Sequence, residues 1–435
     1  MFASDLKHPS PSLAKKLNQL YTLSRGNRID LSFRKPYLDL LEKFGNPHLN
    51  LPPTIHVAGT NGKGSTIAFM RAILQAQGHS VHAYTSPHLH QFNERIVLAG
   101  HMIDNDSLEA LIDEALTLNR GNDITFFEIT TAMAFAAFAR APAGCLLLET
   151  GLGGRLDCTN VIPAAEATLI TPISYDHTEF LGDTIESITS EKAGIIKHAA
   201  PCIIAKQTHE TARTHLTHAA KEKHAPALHH GSDWVTQYAD HDFTLHFRNE
   251  TLTCPLPSLQ GPHQIDNAAA AIVTLKTIQR FRHISDEAVI HGLTHASWPG
   301  RMENVTHHFK DITQNTWTIL YDGGHNQAAG QIITQASQNA GHKTHIIIGM
   351  MNHKNPKTFL ESIEAHAESL TLVPIPNEPQ SYTPEELKTF TAHTNVKTAS
   401  TIHQAVQIIV QDTPTPAQII ITGSLYLAAH ITKPS

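Results

Sequence analysis

The chain has 435 residues, of which 41% are hydrophobic, 16% charged and 6% aromatic, and its formal net charge at pH 7 is −7. That length exceeds one ordinary core and predicts two domains, while the composition excludes a disordered or fibrous chain. The negative balance and the lack of a dense Lys/Arg run count against nucleic acid as a partner.

Met1 to Pro9 carries no apolar core of the signal-peptide kind, and the longest apolar run, near residues 131–149, is broken by Arg140 and Pro142. No membrane partner is expected. Cys145, Cys158, Cys202 and Cys254 form no CxxC pair, which predicts reduced thiols and a cytoplasmic protein. The 32 histidines are scattered without a short Cys/His metal pattern, so most are expected at the solvated surface.

In chain order, strands are predicted at 54–58, 81–85, 145–149, 167–171 and 201–205. Helices are predicted at 65–76, 107–118, 127–140, 185–196 and 265–279. Residues 234–254 alternate polar and apolar and read as a small antiparallel excursion. A second α/β series begins near 300, with strands at 316–321, 344–348, 370–373 and 418–422 and helices at 327–340, 356–367, 384–392 and 402–411. The alternation predicts an α/β protein with parallel sheets covered by helices. The turn Ser297-Trp298-Pro299-Gly300-Arg301 is the expected hinge, giving domains 1–297 and 298–435. A cleft between two such domains is a common ligand site.

The most informative stretch is Gly59-Thr60-Asn61-Gly62-Lys63-Gly64-Ser65-Thr66, entered from an apolar strand and left by a helical pattern. Glycines let backbone amides approach a polyphosphate, Lys63 adds positive charge, and the helix presents its N-terminal dipole. The spacing differs from the usual nucleotide loop, with only two residues between Gly59 and Gly62. A nucleoside triphosphate is the expected ligand.

Further strand ends carry chemistry. Glu149 begins Glu149-Thr150-Gly151-Leu152-Gly153-Gly154-Arg155-Leu156-Asp157 and is placed to hold Mg²⁺ near phosphates, with a cap or buried salt bridge as its plainer role. Ser86, in Thr85-Ser86-Pro87-His88, suits either a metal or an ST-turn. His177, in Asp176-His177-Thr178, suits a metal or phosphate contact equally with a structural role. Lys192, taken alone, reads as an ordinary helix lysine paired with an acid. Arg301, the Asp322-Gly323-Gly324-His325-Asn326 turn and Gly423-Ser424-Leu425-Tyr426 add a cation, an acid, a histidine and a hydroxyl in the second series.

Together these motifs, in order from about Leu17 to the C-terminal helix, resemble the folylpolyglutamate synthases. The resemblance is strongest to bacterial bifunctional dihydrofolate synthase/folylpolyglutamate synthases, within the Mur ligase superfamily. It rests on GTNGKGS at 59–65, TSPHL at 85–89, ETGLGGRLD at 149–157, DHT at 176–178, EKAGI at 191–195, PGR at 299–301, DGGHN at 322–326 and GSLYLA at 423–428. Gly324 and Cys158 stand where alanine is usual, and Asn352-His353-Lys354-Asn355 where an acidic-Lys-Asp run is common.

The resemblance implies an N-terminal P-loop ATPase-like Mur ligase domain and a smaller C-terminal Rossmann-like domain. The implied reaction is ATP-dependent addition of L-glutamate to dihydropteroate, reduced folates or both, through an acyl phosphate. A Mur-type ligase acting on a cell-wall nucleotide is the alternative. By residue, Thr60, Asn61, Gly62, Lys63, Gly64 and Ser65 would hold ATP phosphates, with Asn267, Arg301 and Asp322 also on ATP. Ser86, Glu149 and His177 would ligate Mg²⁺. Lys192 would be carboxylated and assist a second ion. Lys63, His177, Lys192 and Arg301 form the implied catalytic set. Thr22, Leu23, Ser24, Arg25, Thr125, Phe126, Phe127, Glu128, Leu156, Asp157 and Cys158 would line the pteroate pocket, and His325 and Ser424 would face the glutamate. A monomer is implied.

Overall fold

The computed structural model describes residues 8, 10–23, 33–314 and 316–431. Within them the chain divides into two compact α/β units: the first takes 262–297 and the chain up to 258, the second 259–261 and everything from Trp298 onward.

The first unit is built on an eight-stranded sheet. Its strands are β1 (Thr54–Ala58), β2 (Val81–Tyr84), β3 (Ile96–Leu98), β4 (His101–Met102), β5 (Cys145–Glu149), β6 (Ala167–Ile170), β7 (Cys202–Ile204) and β8 (Ala227–His229). Their order is β4-β3-β2-β5-β1-β6-β7-β8. From β2 to β8 every pairing is parallel, as expected for strands such as Cys145–Glu149 that are buried along their whole length. The parallel register has one consequence for function. The loops that follow β1, β2, β5 and β6 all leave from the same edge, so Gly59, Ser86, Thr150 and Thr171 are gathered there from four separate motifs.

The expected antiparallel excursion is present as β9 (Trp234–Tyr238), β10 (Asp242–Phe247) and β11 (Glu250–Pro255), a three-stranded sheet. In the second unit β12 (Glu303–Asn304), β13 (Thr318–Tyr321), β14 (Thr344–Ile348), β15 (Ser369–Leu372), β16 (Val396–Thr398) and β17 (Gln418–Thr422) take the order β12-β13-β17-β14-β15-β16. All these pairs are parallel except β12 with β13.

Several expectations need correction. The main sheet is not wholly parallel: β3 and β4 form a hairpin whose two-residue turn, Ala99-Gly100, has φ of 49° and 96°. That turn conformation usually draws Asn or Asp at its first position, and alanine there conceals it. Helices Pro11–Leu23, Lys35–Lys43, Glu210–Glu222 and Asp286–His295, and strands β8 and β16, had no counterpart in the sequence reading. The helix expected to reach 196 ends at Ala193, and that expected to reach 392 ends at Lys388. Five histidines expected at the surface, His8, His56, His82, His88 and His345, are buried.

Candidate active site

Local chemistry explains why β1 stops where it does. Gly59 takes φ of 149°, and a Cβ there would stand 1.9 Å from the Thr171 hydroxyl oxygen, so only glycine lets the strand turn against its neighbour. The amides of Thr60 and Asn61 both donate to the Pro172 carbonyl, at 2.9 and 3.3 Å. The Thr60 hydroxyl bonds the Ser174 backbone at both its carbonyl and its amide, at 3.1 Å each. Amides from Gly62 onward, at the start of helix Lys63–Ala76, are therefore the ones left to meet an anion.

Two lysines converge on one carbonyl. Lys63 Nζ donates to Gly59 O at 3.1 Å and to Thr60 O at 3.3 Å, and Lys192 Nζ donates to Gly59 O at 3.0 Å. Lys192 is only 6% exposed. Burial first, and the nearby Lys63 charge second, push its amine down to about 7. The bland sequence reading of Lys192 is thus overturned, since its neighbour Glu191 pairs with Arg155 and leaves Lys192 on the loop carbonyl. Both lysines line a pocket with Gly59, Thr60, the Thr150–Gly153 turn, Asp176 and His177. Asp176, not singled out from the sequence, is the neighbour that receives the His177 amide at 2.9 Å. His177 itself adopts a left-handed conformation, φ 51°, ahead of the short helix Thr178–Leu181.

Glu149 ends β5 buried, and its Oε2 accepts the Ser86 amide at 3.2 Å, so two of the three expected metal ligands are adjacent. Asn267 lies on helix Pro262–Thr277, with its side-chain amide donating to Gln264 Oε1 at 3.0 Å. Its Oδ1 faces Gly62 so closely that a Cβ on that glycine would be 2.5 Å away. Gln264 was missed by sequence reasoning, and only its spacing three residues before Asn267 on one helix face would have hinted at it.

The expected pteroate residues group around helix Phe126–Arg140. Thr125 caps it and Glu128 closes the capping box, while Arg34 grips the buried Glu128 carboxylate. Glu128 is therefore committed to structure. Phe126 stacks on Tyr21 at 4.2 Å, and Phe127 presses on Gly151, where a Cβ would lie 2.3 Å from its ring. Leu23 packs into the same apolar cluster as Phe126, Phe127 and Cys158, whereas Thr22 is exposed. Ser24 and Arg25 fall outside the described residues. Leu156 leads into Asp157, whose buried carboxylate accepts the amides of Gly151 and Leu152 at 3.0 and 2.8 Å.

In the second unit three turns meet beside the adjacent strands β13 and β17. Asp322 accepts the Met302 amide at 3.0 Å and the Gly324 amide at 2.8 Å, which fixes the turn after Arg301 against its own. Gly423 N donates to Gly324 O at 3.0 Å, and the Ser424 hydroxyl caps the following turn at Tyr426. His325 Nδ1 lies 3.2 Å from Gly323 O.

A glycine loop opening a helix, a second lysine on that loop, and a Rossmann-like second unit define a nucleotide-dependent ligase of the Mur class. Family models agree: the Mur ligase middle domain matches residues 57–275, and the C-terminal domain of dihydrofolate synthetase matches 304–433. The dihydrofolate synthase/folylpolyglutamate synthase of Bacillus subtilis (strain 168) is 32% identical over 91% of this chain and 93% of its own. E. coli FolC in complex with DHPP and ADP has the same fold, with a TM-score of 0.85 at 29% identity over 97% of both chains. The bifunctional enzyme of Yersinia pestis, complexed with AMPPNP and Mn ion, gives 0.83 at 26% identity over 97% of both. The chain belongs to the dihydrofolate synthase/folylpolyglutamate synthase family.

Substituting Gly62 tests the loop. Gly62→Ala adds a methyl group to a φ of 87° and drives it into Asn267 Oδ1. Gly78 has the same φ of 87° but nothing within 4 Å of its Cβ position, so Gly78→Ala reports the backbone strain alone. Calorimetry with a non-hydrolysable ATP analogue is expected to show affinity lowered by about tenfold or more in Gly62→Ala and retained in Gly78→Ala, one lost contact being worth about 1 kcal/mol or more.

Proposed function

We propose that the chain is an ATP-dependent ligase that joins L-glutamate to dihydropteroate, to reduced folates, or to both. The observation that carries this reading is the meeting of Lys63 and Lys192 on the Gly59 carbonyl, inside a pocket bordered by His177 and the Thr150–Gly153 turn. A lysine pair gathered on one loop carbonyl beside a helix N-terminus suits an anionic ligand, and a polyphosphate supplies it. The family favours a folate acceptor over the cell-wall nucleotide of other Mur-type ligases.

A carboxylate resists an amine because its charge is delocalised and oxide leaves badly. Transfer of the γ-phosphoryl group to the acceptor carboxylate gives an acyl phosphate, which the glutamate amine attacks with release of phosphate. Lys63 offsets charge on the transferring group, with Thr60, Asn61, Gly62, Gly64, Ser65 and Asn267 aligning the nucleotide. Arg301 and Asp322 are assigned to ATP, and His325 and Ser424 to glutamate. The pteroate pocket is assigned to the residues around Phe126, Phe127 and Leu156–Cys158. In this scheme 1–297 is the catalytic domain and 298–435 the glutamate-handling domain.

The donor set fits Mg²⁺. Glu149 offers a carboxylate, Ser86 a hydroxyl and His177 an imidazole, and no cluster of three or more His, Cys, Asp or Glu occurs among the described residues. A cation that completes its shell with phosphate oxygens and water needs no such cluster. When bound, the metal neutralises phosphate charge. Lys192 is assigned as an N6-carboxylated residue: its neutral amine adds to CO₂, forming a carbamate and releasing one proton, and the resulting anion would serve a second ion. No helix among the described residues is long and apolar enough to cross a membrane, and a cytoplasmic monomer acting on small molecules is the proposed setting.

The assay is direct. With ATP and Mg²⁺, release of ADP and phosphate is expected only when glutamate and a pteroate or folate acceptor are both present, and the product gains one glutamyl residue by mass. ATP turnover indifferent to either acceptor would refute the reading.

A further inference from the structure

His56 is a polar residue in the middle of a strand that is buried at all five positions. Its side chain is fully enclosed, and burial holds the imidazole neutral, well below its usual pKa. Nε2 lies 2.9 Å from the Thr159 hydroxyl, while Nδ1 has no hydrogen-bond partner among the described residues. An aliphatic side chain would fill the position without leaving a buried nitrogen unpaired, so the histidine is kept there at a cost.

The hydrogen-bond directions are fixed by chemistry. Asp157 as a carboxylate only accepts; its Oδ1 takes both the amide (2.9 Å) and the hydroxyl (2.5 Å) of Thr159. The Thr159 oxygen, having given its proton to Asp157, accepts from His56, which makes His56 the Nε2–H tautomer. Oδ2 of the same carboxylate takes the amides of Gly151 and Leu152. Those two residues line the pocket that holds Lys63 and Lys192. A chain of directed bonds therefore runs from the strand that feeds the phosphate loop, through Thr159 and Asp157, to the opposite wall of the same pocket.

We infer that His56 and Thr159 are positioning residues for nucleotide binding, acting through Asp157 on the Gly151–Leu152 backbone. The inference rests on the ligase reading for its catalytic consequence, but nucleotide affinity can be read without any acceptor. Thr159→Val keeps the side-chain volume and removes the hydroxyl; Thr159→Ser keeps the hydroxyl. His56→Leu removes the donor and His56→Gln keeps one.

Calorimetry with a non-hydrolysable ATP analogue is expected to show affinity weakened on the order of tenfold in Thr159→Val and His56→Leu. Thr159→Ser and His56→Gln should stay within about threefold of the parent. The Thr159→Val/His56→Leu double variant should lose little more than either single one, because both cut the same chain. In the full reaction KM for ATP should rise while KM for glutamate stays near its parent value. Lowered melting temperature with unchanged nucleotide affinity would overturn the inference, as would equal losses in the valine and serine variants. If Thr159→Val does not fold, the His56→Leu and His56→Gln pair decides by the same criteria. A failed acceptor assay with intact, Thr159-dependent nucleotide binding would instead count against the ligase reading alone.

Discussion

Replacing Lys192 with alanine is expected to abolish ligase turnover, by about a thousandfold, while leaving the protein folded. The expectation follows from where the amine sits. It is buried, its Nζ rests on Gly59 O, and its pKa is held near 7 by desolvation and by Lys63. An exposed lysine at pH 7.5 is almost wholly protonated and cannot attack CO₂; this one is largely the free amine. The sign of the pH dependence follows. Below about pH 7 the amine takes up a proton, carbamate formation falls, and activity should decline along an acid limb. Carbonate-free buffer should lower activity and bicarbonate restore it, with the modification read directly from ¹³C-labelled bicarbonate by NMR. Alanine leaves space at the pocket wall, and a short carboxylate such as acetate should restore part of the rate to Lys192→Ala. Parent activity insensitive to CO₂, with no carbamate signal, would remove the proposed modification, and a Lys192→Ala enzyme with parent activity would remove the residue from the mechanism.

Much of this site was legible because its chemistry is carried by short contiguous runs. The Gly59–Ser65 loop, the strand ending in Glu149 and the Asp322–Asn326 turn each announce a strand end through composition alone, and parallel pairing then places the first two on one edge. What stayed hidden depends on tertiary approach. Lys192 beside Glu191 looks like half of a surface ion pair. It becomes a buried pocket lysine only because Gly154 lets helix Ile185–Ala193 press onto the 151–154 turn, where a Cβ would stand 2.7 Å from the Glu191 carbonyl and 3.1 Å from the Lys192 Cα. His56 was lost among 32 histidines, since nothing local marks a strand as buried on both faces. Glu128 was read as a pocket residue, yet its partner Arg34 is 94 positions away and ties it into a cap. The Ala99-Gly100 hairpin escaped because propensity argued against an alanine at positive φ.

Lys63→Ala should cost turnover on the order of 10²–10³-fold, the usual loss when one fixed donor to a developing anion is removed. It should also do something that a simple binding lysine would not. Lys63 is the second cause of the lowered Lys192 pKa, after burial. Without that neighbouring charge the Lys192 amine binds its proton more tightly, so the acid limb of the residual activity should move to higher pH and the carbamate signal at fixed pH should shrink. Lys63→Arg keeps the charge and gives the cleaner comparison. Its planar fork cannot reproduce a point charge shared between the Gly59 and Thr60 carbonyls, so turnover should stay low. The Lys192 titration, which responds to charge more than to shape, should remain near that of the parent. The two lysines would then be separable by experiment, Lys63 as the group that meets the transferring phosphoryl and Lys192 as the group whose protonation Lys63 controls. An acid limb unmoved in Lys63→Ala would show that burial alone sets the Lys192 amine and that the two lysines act independently.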